Sequence, residues 1–290
     1  MHNALQQVSV DIPNNQIYGF SISGLATYMQ MPELDICFDM GECPLSAVKL
    51  NHVFLSHAHG DHSRCLMRHN SLRRMMGIEK PSIYYMPEYL VESAKNWIRA
   101  EAIFEGVKEE RIKLPQIVGL KEGEDSIHLK YRKDLKVKAF EVKHSVPAQG
   151  FTIYDFKKKL KEEYHGKNPS ELIELRESGV TLEKEVESPR VTFIGDCLAE
   201  SLFDHPHIWE SKILILESTF VEDDDLIMAK AKGHTHLQEI IEALEQFEST
   251  MKTKHLILKH FSMKYSREHV LRIIRNTVPD RFQDMIHVFV

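Results

Sequence analysis

The stretch Ser56-His57-Ala58-His59-Gly60-Asp61-His62 decides the fold of this chain, and it directly follows a short apolar run. Four potential metal ligands fall within six residues, and imidazole and carboxylate groups are ligands for zinc and similar metals. The small residues Ala58 and Gly60 allow the tight backbone that such convergence needs. The alternation puts the first two histidines on one side and turns the aspartate and the last histidine towards a second position. The spacing therefore favours two adjacent metal ions over a histidine-rich surface loop.

Three further metal-capable residues each follow a predicted strand. They are His144 after 135–142, Asp196 after 191–194 and His260 after 255–258. In layered α/β folds, functional sites form at strand ends, where loops converge. Taken alone, each of these residues is explained at least as well as a hydrogen-bonded histidine or a turn aspartate as it is by a metal site. Their order along the chain is what favours a shared site.

Short apolar strands alternate with amphipathic helices along the rest of the chain. Further strands are predicted at 53–56, 151–156 and 213–216. A helix is predicted over 237–247 from apolar residues at helical spacing, and another near 270–274 with Ser266 as its N-cap. This alternation predicts a layered α/β architecture.

Composition excludes several classes of protein. The 290 residues are 42% hydrophobic with a net charge of −6, which argues against a uniformly basic nucleic-acid binder but not against a local basic patch. No apolar run is long enough to cross a bilayer, and the N-terminal residues lack the pattern of a secretory signal. The four cysteines lack CxxC spacing, which favours a reduced compartment. We expect a cytoplasmic protein with a single domain over residues 1–290.

Residues 155–189 are strongly polar and separate two of the predicted ligand-bearing strands. We interpret them as an inserted arm rather than a second domain. The arm carries a basic run at Lys157, Lys158, Lys159 and Lys161. These lysines are predicted to contact an RNA backbone; the alternative is a solvated helix face.

The order HAHGDH, a single His, Gly-Asp and a His after an apolar strand resembles the metallo-β-lactamase superfamily over most of the chain. Closer matches point to its ribonuclease Z (tRNase Z) branch, the endonucleases that remove 3′ trailers from precursor tRNA. The matching segments are 144–151, Glu217-Ser218-Thr219-Phe220, Gly233-His234-Thr235 and His260-Phe261-Ser262-Met263-Lys264-Tyr265. The sequence of these motifs is most similar to the short, plant-like form of ribonuclease Z. The resemblance implies an αββα sandwich of two mixed sheets flanked by helices.

The resemblance also implies a ligand set. One metal would take His57, His59 and His144, and the other Asp61, His62 and His260. Asp196 would bridge them, with a hydroxide between the ions. Zinc is the favoured metal, with Mn²⁺ or Fe²⁺ as alternatives. Two divalent ions, two aspartates and a hydroxide leave the site near +1, which suits an anionic phosphodiester.

Catalytic roles are implied for Asp61, His234 and Glu217. His234 is the candidate acid that protonates the leaving ribose oxygen, since histidine titrates near neutral pH. Glu217 would orient it, and His236 is the competing candidate acid.

Two motif positions depart from the family pattern. Cys197 replaces a threonine beside the bridging aspartate, either as a passive small residue, which we favour, or as an oxidation-sensitive thiol. Lys264 replaces an arginine, which keeps the charge but loses a bidentate phosphate contact.

The leading hypothesis is therefore a zinc-dependent endoribonuclease that acts on precursor tRNA as a homodimer, with one subunit's arm serving its partner's site. A second hypothesis is a hydrolase of the same fold acting on a thioester, lactone, lactam or cyclic nucleotide. A third is a metal-retaining scaffold without turnover, which would lack a ligand. The Gly-His-Thr motif, its glutamate and the lysine arm favour the first.

Overall fold

A layer of aromatic and branched side chains fills the space between two β-sheets in this computed structural model, which describes residues 7–290. The rings of Phe38 and Phe193 stack across the layer with centroids 4.5 Å apart, and Phe54 lies 5.3 Å from Phe151. Strand side chains alternate between faces, so each strand contributes every second residue to this core. The first six residues, part of the segment predicted to carry no secretory signal, lie outside the described part of the chain.

Within residues 7–290 the strands form two mixed sheets, one of eight strands and one of seven. The first sheet runs in the order β1 (Val8–Ile12), β2 (Asn15–Ser23), β3 (Ala26–Met31), β4 (Ile36–Phe38), β5 (His52–Phe54), β6 (Ile83–Pro87) and β7 (Gln116–Leu120), with β14 (Phe261–Ser262) beside β2. The second runs in the order β15 (Ile286–Val288), β13 (His255–Lys259), β12 (Ile213–Glu217), β11 (Glu183–Ile194), β10 (Ala148–Leu160), β9 (Arg132–Val142) and β8 (Ile127–Leu129).

Helices connect the strands, and several of them cover the outer faces of the two sheets. They are α1 (Leu45–Val48), α2 (Gly60–Ser63), α3 (Leu66–Met75), α4 (Val91–Phe104), α5 (Pro169–Glu177), α6 (Glu200–Asp204), α7 (Leu226–Lys232), α8 (Leu237–Phe247), α9 (Arg267–Thr277) and α10 (Asp280–Gln283). Apolar residues of α8 and α9 pack on the second sheet, and those of α1, α3 and α4 pack on the first. The predicted αββα sandwich is confirmed. Ser266 caps α9 as predicted, because its hydroxyl accepts the His269 backbone N–H at 3.2 Å.

The ends of several strands meet at one edge of the sandwich. Strands β4, β5 and β6 run parallel in one sheet, and β11, β12 and β13 run parallel in the other. Parallel strands end on the same side, so the loops that follow them converge. This is the physical basis for the site described below.

The lysine run of the polar segment 155–189 begins in a strand, not on a helix face as the alternative interpretation held. Strands β10 and β11 continue past the body as a hairpin pairing down to Leu160 and Glu183, and α5 lies in their connection. Lys157, Lys158 and Lys159 are exposed residues of β10.

Met75 and Met76, at the C-terminal end of α3, are 81% and 47% exposed and do not fill the core. None of the helices formed by the described residues has the length and apolar character needed to cross a bilayer.

Candidate metal centre

Seven predicted ligands lie together at the edge where the strands converge. The His57 group comprises His57, His59 and His144, and the Asp61 group comprises Asp61, His62 and His260. The ligand atoms of the His57 group and of Asp196 all lie within 4.8 Å of one another. The ligand atoms of the Asp61 group also lie within 4.8 Å of one another. His62 and His260, which are 198 positions apart in the chain, are thereby neighbours.

In the His57 group, three imidazole nitrogens face one another. His59 Nδ1 lies 3.0 Å from His57 Nε2 and 3.3 Å from His144 Nε2. In the Asp61 group, His260 Nε2 lies 3.2 Å from His62 Nε2 and 3.6 Å from Asp61 Oδ2. Such convergence of lone-pair nitrogens and a carboxylate is the donor arrangement that divalent metals require.

Asp196 lies between the two groups and turns one carboxylate oxygen to each. Its Oδ2 is 3.8 Å from His57 Nε2, and its Oδ1 is 3.3 Å from His62 Nε2. Although Asp196 is 2% exposed, Oδ1 has no hydrogen-bond partner among the described residues. A buried carboxylate oxygen without a hydrogen bond is costly, and a divalent cation would satisfy it.

The outer contacts of the ligands fix their ring orientations. Asp39 accepts from His62 Nδ1 at 2.7 Å and from the Ser56 backbone N–H at 2.8 Å. His144 Nδ1 donates to the Gly233 carbonyl at 2.7 Å. Outer partners of this kind select the tautomer that leaves the other ring nitrogen for a metal.

Burial and local charge decide the protonation of these groups. Burial lowers the pKa of His57 well below its usual range, and it also lowers the pKa values of His59 and His260. Burial opposes a charge on His62, but Asp196 and Asp39 outweigh it and raise the pKa of His62 to about 10. A metal at the Asp61 group must therefore displace a proton from His62.

His234 lies beside this cluster, paired with a buried carboxylate. Its Nδ1 is 2.9 Å from Glu217 Oε1 and 4.0 Å from Asp196 Oδ2. Burial alone would lower the pKa of His234, but Glu217 outweighs it and raises that pKa to about 9. Glu217 is itself held by the backbone N–H groups of Cys197 and Thr219. The contact between His234 and Glu217 that the sequence could not show is therefore present.

His236, the competing acid, is used for structure. Its Nε2 lies 2.8 Å from the Glu222 carbonyl, and its Nδ1 accepts the Gln238 backbone N–H at 3.1 Å as the N-cap of α8. The ring is 2% exposed. Both nitrogens are engaged, so the arrangement favours His234 as the proton donor.

The two motif departures have different surroundings. Cys197 is fully buried, and burial raises the pKa of its thiol, which favours the passive interpretation. Lys264 Nζ lies 2.5 Å from Asp225 Oδ2 and 3.9 Å from Glu222 Oε2. Its charge is therefore balanced by acidic neighbours.

The lysine run divides between the two faces of the hairpin. Lys159 stands opposite Lys184, whereas Lys158 stands opposite Glu185. Cross-strand partners share a face and successive residues alternate, so Lys157, Lys159 and Lys184 lie on one face and Lys158 lies on the other. We call the first the basic face. The other face carries Glu183, Glu185 and Glu187.

Sequence reasoning missed Asp39 and Ser56 as supports of the site. Asp39 follows strand β4 as the ligands follow their strands, and it adopts a left-handed backbone with φ of 56°. A carboxylate directly after a short apolar strand is the sequence feature that could have indicated Asp39.

Comparison with known proteins places this geometry in a family. A model described as the beta-lactamase superfamily domain matches residues 40–261. The chain is 33% identical to tRNase Z TRZ1 of Arabidopsis thaliana over 261 residues, covering 89% of each chain. The chain belongs to the tRNase Z family of the beta-lactamase superfamily. A second tRNase Z relative, chloroplastic TRZ2 of the same plant, is 30% identical over 92% of this chain and 73% of its own length.

The fold agrees with solved tRNase Z structures. The crystal structure of human tRNase Z, short form, superposes with a TM-score of 0.56 at 18% identity, covering 84% of this chain and 92% of that chain. At this identity the match speaks for the fold alone. Binding of divalent metal is the property that the family and the His/Asp cluster share.

Proposed function

We propose that this protein is an endonuclease that removes the 3′ trailer from precursor tRNA by hydrolysing one phosphodiester bond. The relatives named tRNase Z supply the substrate class. The observation that carries the proposal is the His234–Glu217 pair at 2.9 Å beside the ligand cluster. A positioned acid is needed when the leaving group is a ribose oxygen, because an alkoxide is a poor leaving group.

The residues present fit a pair of divalent ions. The His57 group would hold one and the Asp61 group the other, with Asp196 contributing one oxygen to each. The unsatisfied Asp196 Oδ1 and the mixed nitrogen and oxygen donors favour zinc. When bound, such a pair supplies Lewis-acid stabilisation of the phosphate and activation of water.

The protein's own groups complete the reaction. Water attacks phosphorus and gives up a proton to solvent, the bond from phosphorus to the ribose 3′ oxygen breaks, and that oxygen takes a proton from His234. His234 then regains a proton from solvent. Because Nδ1 is held by Glu217, the transferred proton is the one on Nε2. Glu217 favours the charged form of His234 before transfer, and it is held in turn by two backbone N–H groups.

The basic face of the hairpin would hold the tRNA body. The arm as a whole is not basic, since residues 155–189 contain seven lysines and arginines and nine acidic residues. Along the hairpin the lysines are sorted by face, with Lys157 and Lys159 beside Lys184, whose ammonium also pairs with Glu162 at 2.9 Å. Phosphate contacts from such a face would position the substrate without reading its sequence.

A homodimer would bring that face to a metal centre. Ala148 begins β10 near the ligands, and Leu160 ends it in the arm. The 13 residues of this strand span roughly 40 Å from the first to the last, so a subunit's own arm points away from its own site. Helix α4 exposes Trp97 and Phe104, seven residues apart and therefore on one face. The side chain of Phe104 is 93% exposed, and we propose that this face pairs with a second copy.

The four cysteines are free. Free thiols are typical of a reducing compartment, and we propose a cytoplasmic location.

Incubation with a 3′-extended precursor tRNA, beside a generic phosphodiester and with and without chelator, tests the function. The expected result is a single cut that releases an intact trailer, is abolished by chelator and is restored by zinc. Turnover of the small diester alone would favour a small-substrate hydrolase. A ladder of shortened products would contradict endonucleolytic cleavage.

A further inference from the structure

The turn between β2 and β3 lies beside the Asp61 group, although it belongs to neither ligand-bearing segment. The backbone N–H of Gly24 donates to Asp61 Oδ2 at 2.9 Å. This is the same oxygen that lies 3.6 Å from His260 Nε2. The turn therefore contacts the carboxylate oxygen that faces the histidines and fixes its direction.

The same turn also contacts the other ligand segment. Ile22 and Ser23 at the end of β2 pair in parallel with Phe261 and Ser262 of β14. These residues directly follow His260, which has a left-handed backbone with φ of 64°. Left-handed geometry at a non-glycine residue persists only where its surroundings enforce it, and pairing with β2 supplies such a restraint. One short turn thus links Asp61 and His260, which lie far apart in sequence.

Glycine is needed at position 24. Its φ is +74°, a region that side-chain-bearing residues rarely adopt, and a Cβ there would lie 3.1 Å from Met263 Cε. The Asp61 backbone is held as closely, because a Cβ on Gly41 would lie 1.8 Å from the Asp61 carbonyl oxygen. Both the side chain and the main chain of this ligand therefore rest on glycine backbone.

We propose that Gly24 is a positioning residue for the metal site formed by Asp61, His62 and His260. Its amide orients the Asp61 carboxylate, and its lack of a side chain lets the β2–β3 turn approach Met263 and β14. This inference rests on the metal ligands of the proposed function. Hydrogen-bonding partners of metal ligands typically contribute about 10- to 100-fold to metal affinity.

The test compares Gly24→Ala with Gly77→Ala by zinc competition against a chromophoric chelator. Gly77 also has a left-handed backbone, at φ +66°, but open space surrounds it. Both variants place an alanine in a left-handed backbone, but only position 24 lies beside the ligand Asp61. Asp61→Ala identifies which of the two zinc affinities depends on the Asp61 group.

We expect Gly24→Ala to lose about 10- to 100-fold in that one affinity and to keep the other, with Gly77→Ala like the parent at both. A Gly24→Ala protein that binds both zinc ions as the parent does would overturn the proposal. So would an equal loss in Gly77→Ala. If the parent binds two zinc ions but leaves precursor tRNA uncut, the proposed function fails while the zinc comparison still decides the role of Gly24.

A second measurement does not depend on the folding of Gly24→Ala. Amide hydrogen exchange at Gly24 is compared between the parent and Asp61→Ala, with Leu25 as the internal reference because its N–H bonds to the Ile22 carbonyl at 3.0 Å. We expect exchange at Gly24 to accelerate at least about tenfold relative to Leu25 when the acceptor is removed. Unchanged exchange at Gly24 would show that the contact does not hold Asp61.

Discussion

At the scale of single residues, the chemistry depends on which nitrogen of His234 carries the transferable proton. Glu217 engages Nδ1 at 2.9 Å and favours the charged ring. His236, two residues away, has both nitrogens occupied. Two histidines that the sequence could not separate therefore differ clearly in their contacts.

His234→Ala should lose about 10²- to 10⁴-fold in cleavage of precursor tRNA, the usual contribution of a general acid, while metal content stays at the parental value. A nitrophenyl phosphodiester should lose much less, because its leaving group needs no proton. Steady-state rates on both substrates check this. Equal losses on the two substrates would assign His234 a structural role.

Glu217→Gln is the matched control, since it keeps the shape of the carboxylate and removes its charge. Glu217 raises the pKa of His234, and an acid that acts in its protonated form loses activity as the pH rises through its pKa. The alkaline limb of the rate profile should therefore move to lower pH in this variant. A limb that stays in place would separate Glu217 from the acid.

At the scale of elements, strand ends were the informative part of the sequence. The strands before His144, Asp196 and His260 could be predicted from sequence, because they are largely buried there and their residues are therefore apolar. The polar half of β11 was not recognised, because from Glu183 onwards it pairs in an exposed hairpin where no apolar alternation is required. Asp39 was missed because it is a lone carboxylate in its segment.

The hairpin gives a test at this scale. Replacing Lys157, Lys159 and Lys184 by alanine should weaken precursor tRNA binding and flatten its salt dependence, because each phosphate contact releases counterions. Hydrolysis of a small diester should stay near the parental rate. Filter binding across a salt series measures the effect.

Lys158→Ala is the control, because Lys158 lies on the opposite face among glutamates. Replacing Lys157, Lys158, Lys159 and Lys161 together by alanine should also weaken precursor tRNA binding, because this set contains Lys157 and Lys159 of the basic face. If the basic-face variant binds precursor tRNA like the parent at every salt concentration, the arm does not bind the tRNA body.

At the scale of the whole molecule, the long β10 separates the arm from the metal ligands of its own chain. Mixing tests whether the arm serves a partner. His57→Ala, with an intact arm, is combined with the basic-face variant, whose ligands are intact. Random reassortment of dimers should restore about a quarter of parental activity at low substrate. Activity no higher than the mean of the two separate variants would exclude sharing between subunits.

We propose that the His57 and Asp61 groups, together with Asp196, hold two metal ions that hydrolysis requires. Elemental analysis of purified, catalytically active protein tests it most directly, with Asp196→Ala measured beside the parent. We predict two zinc ions per active chain, and both metal content and turnover should fall in Asp196→Ala. One tightly bound metal ion per chain, or none, in fully active protein would contradict it.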